Sequence, residues 1–413
     1  MAIRNIYILL TLITYGIIII GYNKGVNLIT LWPGDFPFQD INLISASLES
    51  LKKGFNPYLQ NPFNPSQGLL NYPKLWLLLF DLLGLKTDHT KEVGFCLIIV
   101  YILICFLIFK PKNLLQLILL YFLVVISPNI LLLLERANCD IIIFTLTYIS
   151  IYFLNLFSKT AQKKYLTISL LITLLASFLK IYPIMLIFLL INEDLKLSIR
   201  FRLIIICIAI FIIYFVVERE NMYYVLVNSS YPIEIAYGKN VFWGHLLKGK
   251  FLSIISNLTL GILSVLSVMF YLFNKNSPRI LLISKNNDMS QKLFLTGSMI
   301  YLLTFFIGNN FDVRLIFLIF TLPLIFDNIF QRPVSIILII IYFINSYGTT
   351  LSNIIAPEPA HLPRFSSNLI HLFEEIIEEF SSWILFSLLL INVFNLLFRE
   401  LIKNKKLLSI IST

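Results

Sequence analysis

Apolar runs long enough to cross a lipid bilayer recur from one end of this chain to the other, and they dictate its architecture. Hydrocarbon offers the backbone no hydrogen-bond partner, and a crossing helix needs about 20 residues for a core of about 30 Å. Of the 413 residues, 58% are hydrophobic and 13% charged, against roughly half and a quarter in soluble domains. The expectation is an all-α, polytopic membrane protein. The apolar runs place about twelve spans, near 5–21, 93–109, 113–134, 141–157, 165–179, 183–192, 203–217, 254–274, 293–308, 315–331, 334–352 and 379–398. The sixth would be roughly 15 Å of helix, a half-span or part of a broken helix. Residues 72–85 are also too short to cross and read as a re-entrant or interfacial helix. The run 6–20 has no small-residue cleavage site after it and reads as a retained span.

Basic residues set the expected orientation. With both termini cytoplasmic, the inner segments hold 18 of the 32 Lys and Arg but 4 of the 22 acids, the asymmetry that the positive-inside rule requires. The longer loops, 22–92, 218–253 and 353–378, then lie on the outer face. None is long enough for an ordinary soluble catalytic domain, and no repeat or linker divides the chain, so residues 1–413 read as one transmembrane domain. The net charge of +10 reports topology; no basic cluster sits beside a soluble domain, so no nucleic-acid partner is expected. Cys96, Cys105, Cys139 and Cys207 show no metal-ligand spacing. No metal and no cofactor are expected.

Ionisable residues near hydrocarbon cost about 2.5–3.5 kcal/mol on insertion scales, so those that remain are functional candidates or structural pairs. Asp40 opens a segment in which Ile41, Ile44, Leu48 and Leu51 share one face, ending at Gly54; it suits a helix N-cap as well as a chemical role. Asp35 lies in a Pro-containing turn. In LERANCDIIIF (134–144), Glu135, Arg136 and Asp140 crowd one connection, where an internal salt bridge competes with ligand binding by Arg136 or Asn138. FLKIYPIML (178–186) breaks an apolar stretch at Pro183 beside Lys180 and Tyr182; broken helices with a nearby cation recur at membrane binding sites, and a snorkelling lysine is the alternative. GNNFDVRLIF (308–317) offers Asn309, Asn310, Asp312 and Arg314, with an Asp312–Arg314 pair as the plain alternative. Asn and aromatic residues fill 56–76, including Asn71 and Tyr72, and suit either sugar contacts or turns. His245 and His361 fall in outer loops, and 369–380 reads as a second interfacial helix.

Asp40, then Gly54, then Asn56-Pro57-Tyr58 resembles the first outer loop of glycosyltransferase family 87, a branch of the GT-C membrane glycosyltransferases. NYPKLW (71–76), RANCD (136–140), LKIYP (179–183) and NNFDVRLIFL (309–318) resemble further stretches of that family, in the same order. Ile44 stands where the family usually has an aromatic residue, and Ala137 where it often has glycine. The resemblance implies a GT-C-type fold, a mannosyltransferase-like enzyme and a polyprenyl-phosphate-linked sugar donor. It also implies a plasma (inner) membrane location, a lipid or glycan acceptor on the outer face of the cell envelope, and inversion. Asp40 matches the catalytic position by its spacing to Gly54, and Asp35 is the additional acid.

The residues themselves support such chemistry. The outer face lacks nucleotide sugars, so a transferase there needs a donor carried by membrane lipid. No Asp-x-Asp occurs to clamp a diphosphate through metal; fixed cations can meet a phosphate leaving group instead. Asp40 is the expected general base, with Asp35 orienting it or the acceptor. Arg136, Lys180 and Arg314 are the candidate phosphate contacts, and Asn71, Tyr72, Asn138, Asp140, Tyr182, His245 and Asn310 complete the expected binding set. A transporter or lipid-linked-sugar flippase would explain the spans and the broken helix equally well, but less well the gathering of polar residues on one face.

Overall fold

The computed structural model describes residues 2–23, 38–229, 236–244, 247, 249–274, 280–282, 288–308, 310–355 and 369–403. Asp35, His245, Asn309 and His361 lie outside these described residues. The chain divides into two compact units, 1–187 with 196–230, and 188–195 with 231–413.

The first unit carries α1 (Ala2–Asn23), α2 (Gln39–Lys52), α3 (Leu75–Leu82), α4 (Thr90–Ile108), α5 (Leu114–Leu120), α6 (Pro128–Glu135), α7 (Asp140–Thr160), α8 (Lys163–Leu179), α9 (Leu197–Val217) and α10 (Arg219–Asn228). A π-helical turn, Tyr121–Val125, joins α5 to α6 with a bend of 41°; the π-turn and Pro128 at the start of α6 account for the kink. α7 packs along α8, where Ser150 Oγ lies 3.0 Å from Ser169 Oγ and 2.7 Å from Thr173 Oγ1. Small hydroxylated residues let helices approach closely and hydrogen bond where no water is available.

The second unit carries α11 (Val241–Gly244), α12 (Gly249–Asn274), α13 (Met289–Ile307), α14 (Leu322–Asn328), α15 (Pro333–Ile355) and α16 (Leu369–Lys403). Two short strands, β1 (Ala236–Tyr237) and β2 (Asn310–Phe311), pair antiparallel with Ala236 opposite Phe311. A 3-10 helix, Asp312–Thr321, leads into α14. It lies against α13 at backbone distance: a Cβ added to Gly297 would come within 2.4 Å of the Phe317 carbonyl oxygen.

The protein is an all-α, multi-pass membrane protein. Seven helices among the described residues are long and apolar enough to cross a bilayer (α1, α4, α7, α9, α12, α13 and α16), and the bent α5–α6 pair makes an eighth if counted as one span. The other four apolar runs seen in the sequence are helical but different in kind. α8 has 17 residues, α15 is apolar over 333–348, and the remaining two contain 3-10 helix, at Tyr182–Asn192 and Asp312–Thr321. A 3-10 helix rises about 2.0 Å per residue instead of 1.5, so the segment read as roughly 15 Å reaches about 22 Å. The expected separate helix at 369–380 is the first part of α16, which has 35 residues; neither Pro nor Gly interrupts 369–403.

Candidate functional site

The first unit gathers its charged residues where four segments end. The N-terminus of α2 docks on the C-terminus of α6: the Phe38 N–H donates to the Glu135 carbonyl at 2.8 Å, and the Asp40 N–H to the Arg136 carbonyl at 3.1 Å. Each terminus thereby satisfies groups that the other leaves orphaned. Phe38 occupies the N-cap in a left-handed conformation, φ 62°, and no side chain caps the helix. Asp40 is therefore not a helix cap; it stands in the first turn with its carboxylate directed elsewhere. α2 is also more enclosed than a surface amphipathic helix, since Ser45, Ser47 and Ser50 are buried beside Ile41, Ile44 and Leu48. The Phe38 ring rests on α4, where a Cβ at Gly94 would lie 2.5 Å from its Cγ. Gly94→Ala is expected to displace Phe38 and destabilise the protein by about 1–3 kcal/mol, the usual cost of overpacking. Thermal unfolding in detergent checks this; an unchanged Tm would show that Phe38 does not fix the start of α2.

The Asp40 carboxylate is 4% exposed as a residue and is held from two sides. Arg136 Nη2 donates to Oδ1 at 2.7 Å, and its Nε to Oδ2 at 3.2 Å. Asn138 Nδ2 donates to Oδ2 at 2.6 Å. Of the two alternatives for 134–144, Arg136 does not make the internal bridge with Asp140; it reaches across to Asp40. Burial works against the Arg136 guanidinium, but the carboxylate beside it outweighs burial and raises its pKa above the ordinary value. Between these two donors sits Ala137, fully buried with φ 45°. Left-handed backbone costs an L-residue roughly 1–2 kcal/mol, and glycine gives back part of that as unfolded-state entropy, roughly 0.4–1 kcal/mol. Ala137→Gly is expected to stabilise by a few tenths to about 1 kcal/mol, read as a small rise in Tm; a fall would contradict the strain.

A second ion pair adjoins the first. Asp140 begins α7 and is fully buried. Lys180 Nζ lies 2.7 Å from its Oδ1, and the Tyr182 hydroxyl donates to the same oxygen. The Lys180 side chain is 12% exposed, so it does not snorkel. Its Nζ also lies 5.3 Å from the centre of the Tyr72 ring, within cation–π range. Burial holds the Tyr72 phenol well above its usual pKa, and Asp40, Cys139 and Asp140 add to this, partly offset by Arg136. Tyr72 packs edge-on against Trp76, whose Nε1 donates to the Leu179 carbonyl at 3.1 Å and ties α3 to the end of α8. Asn138 joins the two pairs, because its Oδ1 accepts the Asp140 N–H at 2.8 Å.

The loop 56–72 is built from turn chemistry. Asn56 Oδ1 accepts the Tyr58 N–H at 3.1 Å, Asn61 and Asn64 both donate to the Gly68 carbonyl, and Asn61 also bonds Ser47 and Ser50 of α2. Tyr58 donates to the Tyr72 carbonyl at 3.0 Å, fixing the residue beneath Lys180. From α10, Asn228 donates to the Tyr58 and Leu70 carbonyls. Asn71 differs from these: its Oδ1 is buried without a hydrogen-bond partner, as is Asn42 Oδ1 on α2.

The structure thus brings Asp40, Arg136, Asn138, Asp140, Lys180, Tyr182 and Tyr72 into one connected cluster, with Asn71 beside it in the chain. Asn310 and Arg314 belong to the second unit and hydrogen bond to each other, Nη1 to Oδ1; Asn310 also donates to the Thr304 and Gly308 carbonyls, which makes it a turn residue. Cys139 and Trp76, which the sequence offers only as members of RANCD and NYPKLW, are both buried against the cluster; the Glu193–Lys292 pair of the second unit, 2.8 Å apart and essentially unexposed, has no sequence signal. No known family's sequence profile matches this chain, and neither does any curated protein or any solved structure.

Proposed function

We propose that the chain is an integral membrane glycosyltransferase of GT-C type, related to glycosyltransferase family 87. It moves a sugar from a polyprenyl-phosphate donor to a lipid or glycan acceptor on the outer face of the plasma membrane, with inversion. The observation that carries the proposal is the state of Asp40. A carboxylate offers about four lone-pair sites. Three are taken by Arg136 and Asn138, two of them on Oδ2 and one on Oδ1. Oδ1 retains one site for an incoming hydroxyl.

On this proposal the acceptor hydroxyl gives its proton to Asp40 Oδ1 as its oxygen attacks the anomeric carbon. The anomeric C–O bond to phosphate breaks, and its electron pair leaves with the lipid phosphate. Lys180 meets the charge that grows there. Tyr182 also bonds Asp140 and keeps a donor on that acid as Lys180 leans toward the phosphate. Arg136 stays on Asp40 and fixes its plane, the task for which a planar fork suits Arg better than Lys. Asn71 Oδ1, buried without a donor, is the proposed acceptor for a sugar hydroxyl.

The test supplies purified protein with decaprenyl- and undecaprenyl-phosphate mannose and glucose, using native membrane extract as the acceptor source. Release of polyprenyl phosphate that depends on acceptor is expected. Movement of intact lipid-linked sugar across proteoliposomes without cleavage would replace the proposal with transport.

A further inference from the structure

We infer that Asn138 is the positioning residue that selects Oδ1 of Asp40 as the reactive oxygen; this rests on the transferase proposal. The Asn138 side chain cannot turn over, since its Oδ1 accepts the Asp140 N–H at 2.8 Å and its Nδ2 must then face Asp40 Oδ2 at 2.6 Å. With Arg136 Nε at 3.2 Å, both lone pairs of Oδ2 are occupied. Arg136 Nη2 takes only one lone pair of Oδ1. Removing the amide donor would free Oδ2 and let the carboxylate present either oxygen. Asn138 is 7% exposed and its residue begins the turn into α7, so the same amide sets both the base and the helix that carries Asp140. The other charged and titratable groups around Asp40 are Arg136 and Glu135 at the end of α6, Cys139 and Asp140 at the start of α7, Tyr72 in the loop, and Lys180 and Tyr182, which join through Asp140.

Asn138→Asp separates positioning from support. The new carboxylate still accepts the Asp140 N–H but places a like charge against Asp40 where a donor stood. Like charges raise the pKa of the pair. A base that must be ionised then works only at higher pH, so the acid limb of the transfer pH profile is expected to move up by about one unit. At a fixed pH on the acid limb itself, that displacement lowers turnover about 10-fold.

The swapped variant Asp40→Asn/Asn138→Asp restores a donor–acceptor pair with one charge. Its Tm is expected to recover above that of Asn138→Asp alone, and its transfer to remain lost, because the base has moved. A merely structural Asn138 predicts the opposite: an unmoved acid limb in Asn138→Asp, and losses of Tm that add in the double variant. Either result overturns the inference. If wild type consumes none of the four donors, the transferase proposal fails on its own, and the Tm cycle still decides the clamp: recovery in the swapped pair keeps it and additivity ends it.

Discussion

Asp40→Asn is expected to slow sugar transfer at least ~10²-fold per folded molecule, the low end of a general-base contribution. The size follows from the surroundings of the carboxylate. Asparagine keeps the shape and one acceptor oxygen, but puts an NH₂ where Arg136 or Asn138 already donates. The variant therefore loses the proton acceptor and also loosens the junction of α2 with α6. Arg136→Lys separates the two effects. It retains the charge and loses the two-point grip, so it should lower Tm with a much smaller loss of turnover. If Asp40 served only as a clasp, both variants would lower Tm and both would leave turnover per folded molecule unchanged.

Lys292→Met is expected to destabilise the second unit by about 3–5 kcal/mol, the usual consequence of stripping a buried charge of its partner. Glu193 and Lys292 are 0% and 1% exposed at their side chains, so the substitution removes a buried cation that sits 2.8 Å from a buried carboxylate. At roughly 2–4 °C per kcal/mol for a unit of this size, the Tm falls by roughly 6–20 °C. Lys292 also stands in the first turn of α13, where a cation opposes the helix dipole; the pair exists in spite of that. Glu193→Leu/Lys292→Met should recover most of the loss, because replacing both members of a buried pair by apolar groups is often neutral or better. A double variant as unstable as the sum of the singles would show that each charge serves other partners.

The sequence was most informative where the physics is local. Apolar runs marked the helices, the lack of Pro and Gly over 369–403 made one helix of 35 residues, and Pro183 marked the change from α8 to 3-10 helix. Seven candidate residues scattered over 143 positions of chain (40 to 182) proved to be neighbours. Their pairing was not legible. Glu135, Arg136 and Asp140 lie close in sequence and invited an internal bridge, whereas Arg136 pairs with Asp40, 96 residues away, and Asp140 with Lys180. Local spacing fixes which groups share a turn, but tertiary packing decides which charges meet. The same limit hid Glu193 and Lys292, which have the four helices α9 to α12 between them in the chain. Rise per residue was equally invisible, since apolar composition does not distinguish a 3-10 from an α-helix, and the length of a span depends on that difference.

The most direct measurement is the anomeric configuration of the transferred sugar, read by NMR on product made by wild-type protein from a polyprenyl-phosphate sugar of known β configuration. One base, with the phosphate leaving from the opposite side, predicts an α-linked product and free polyprenyl monophosphate in equal amount. A β-linked product, or a donor left uncleaved in the presence of acceptor, would contradict Asp40 as the base of an inverting transfer.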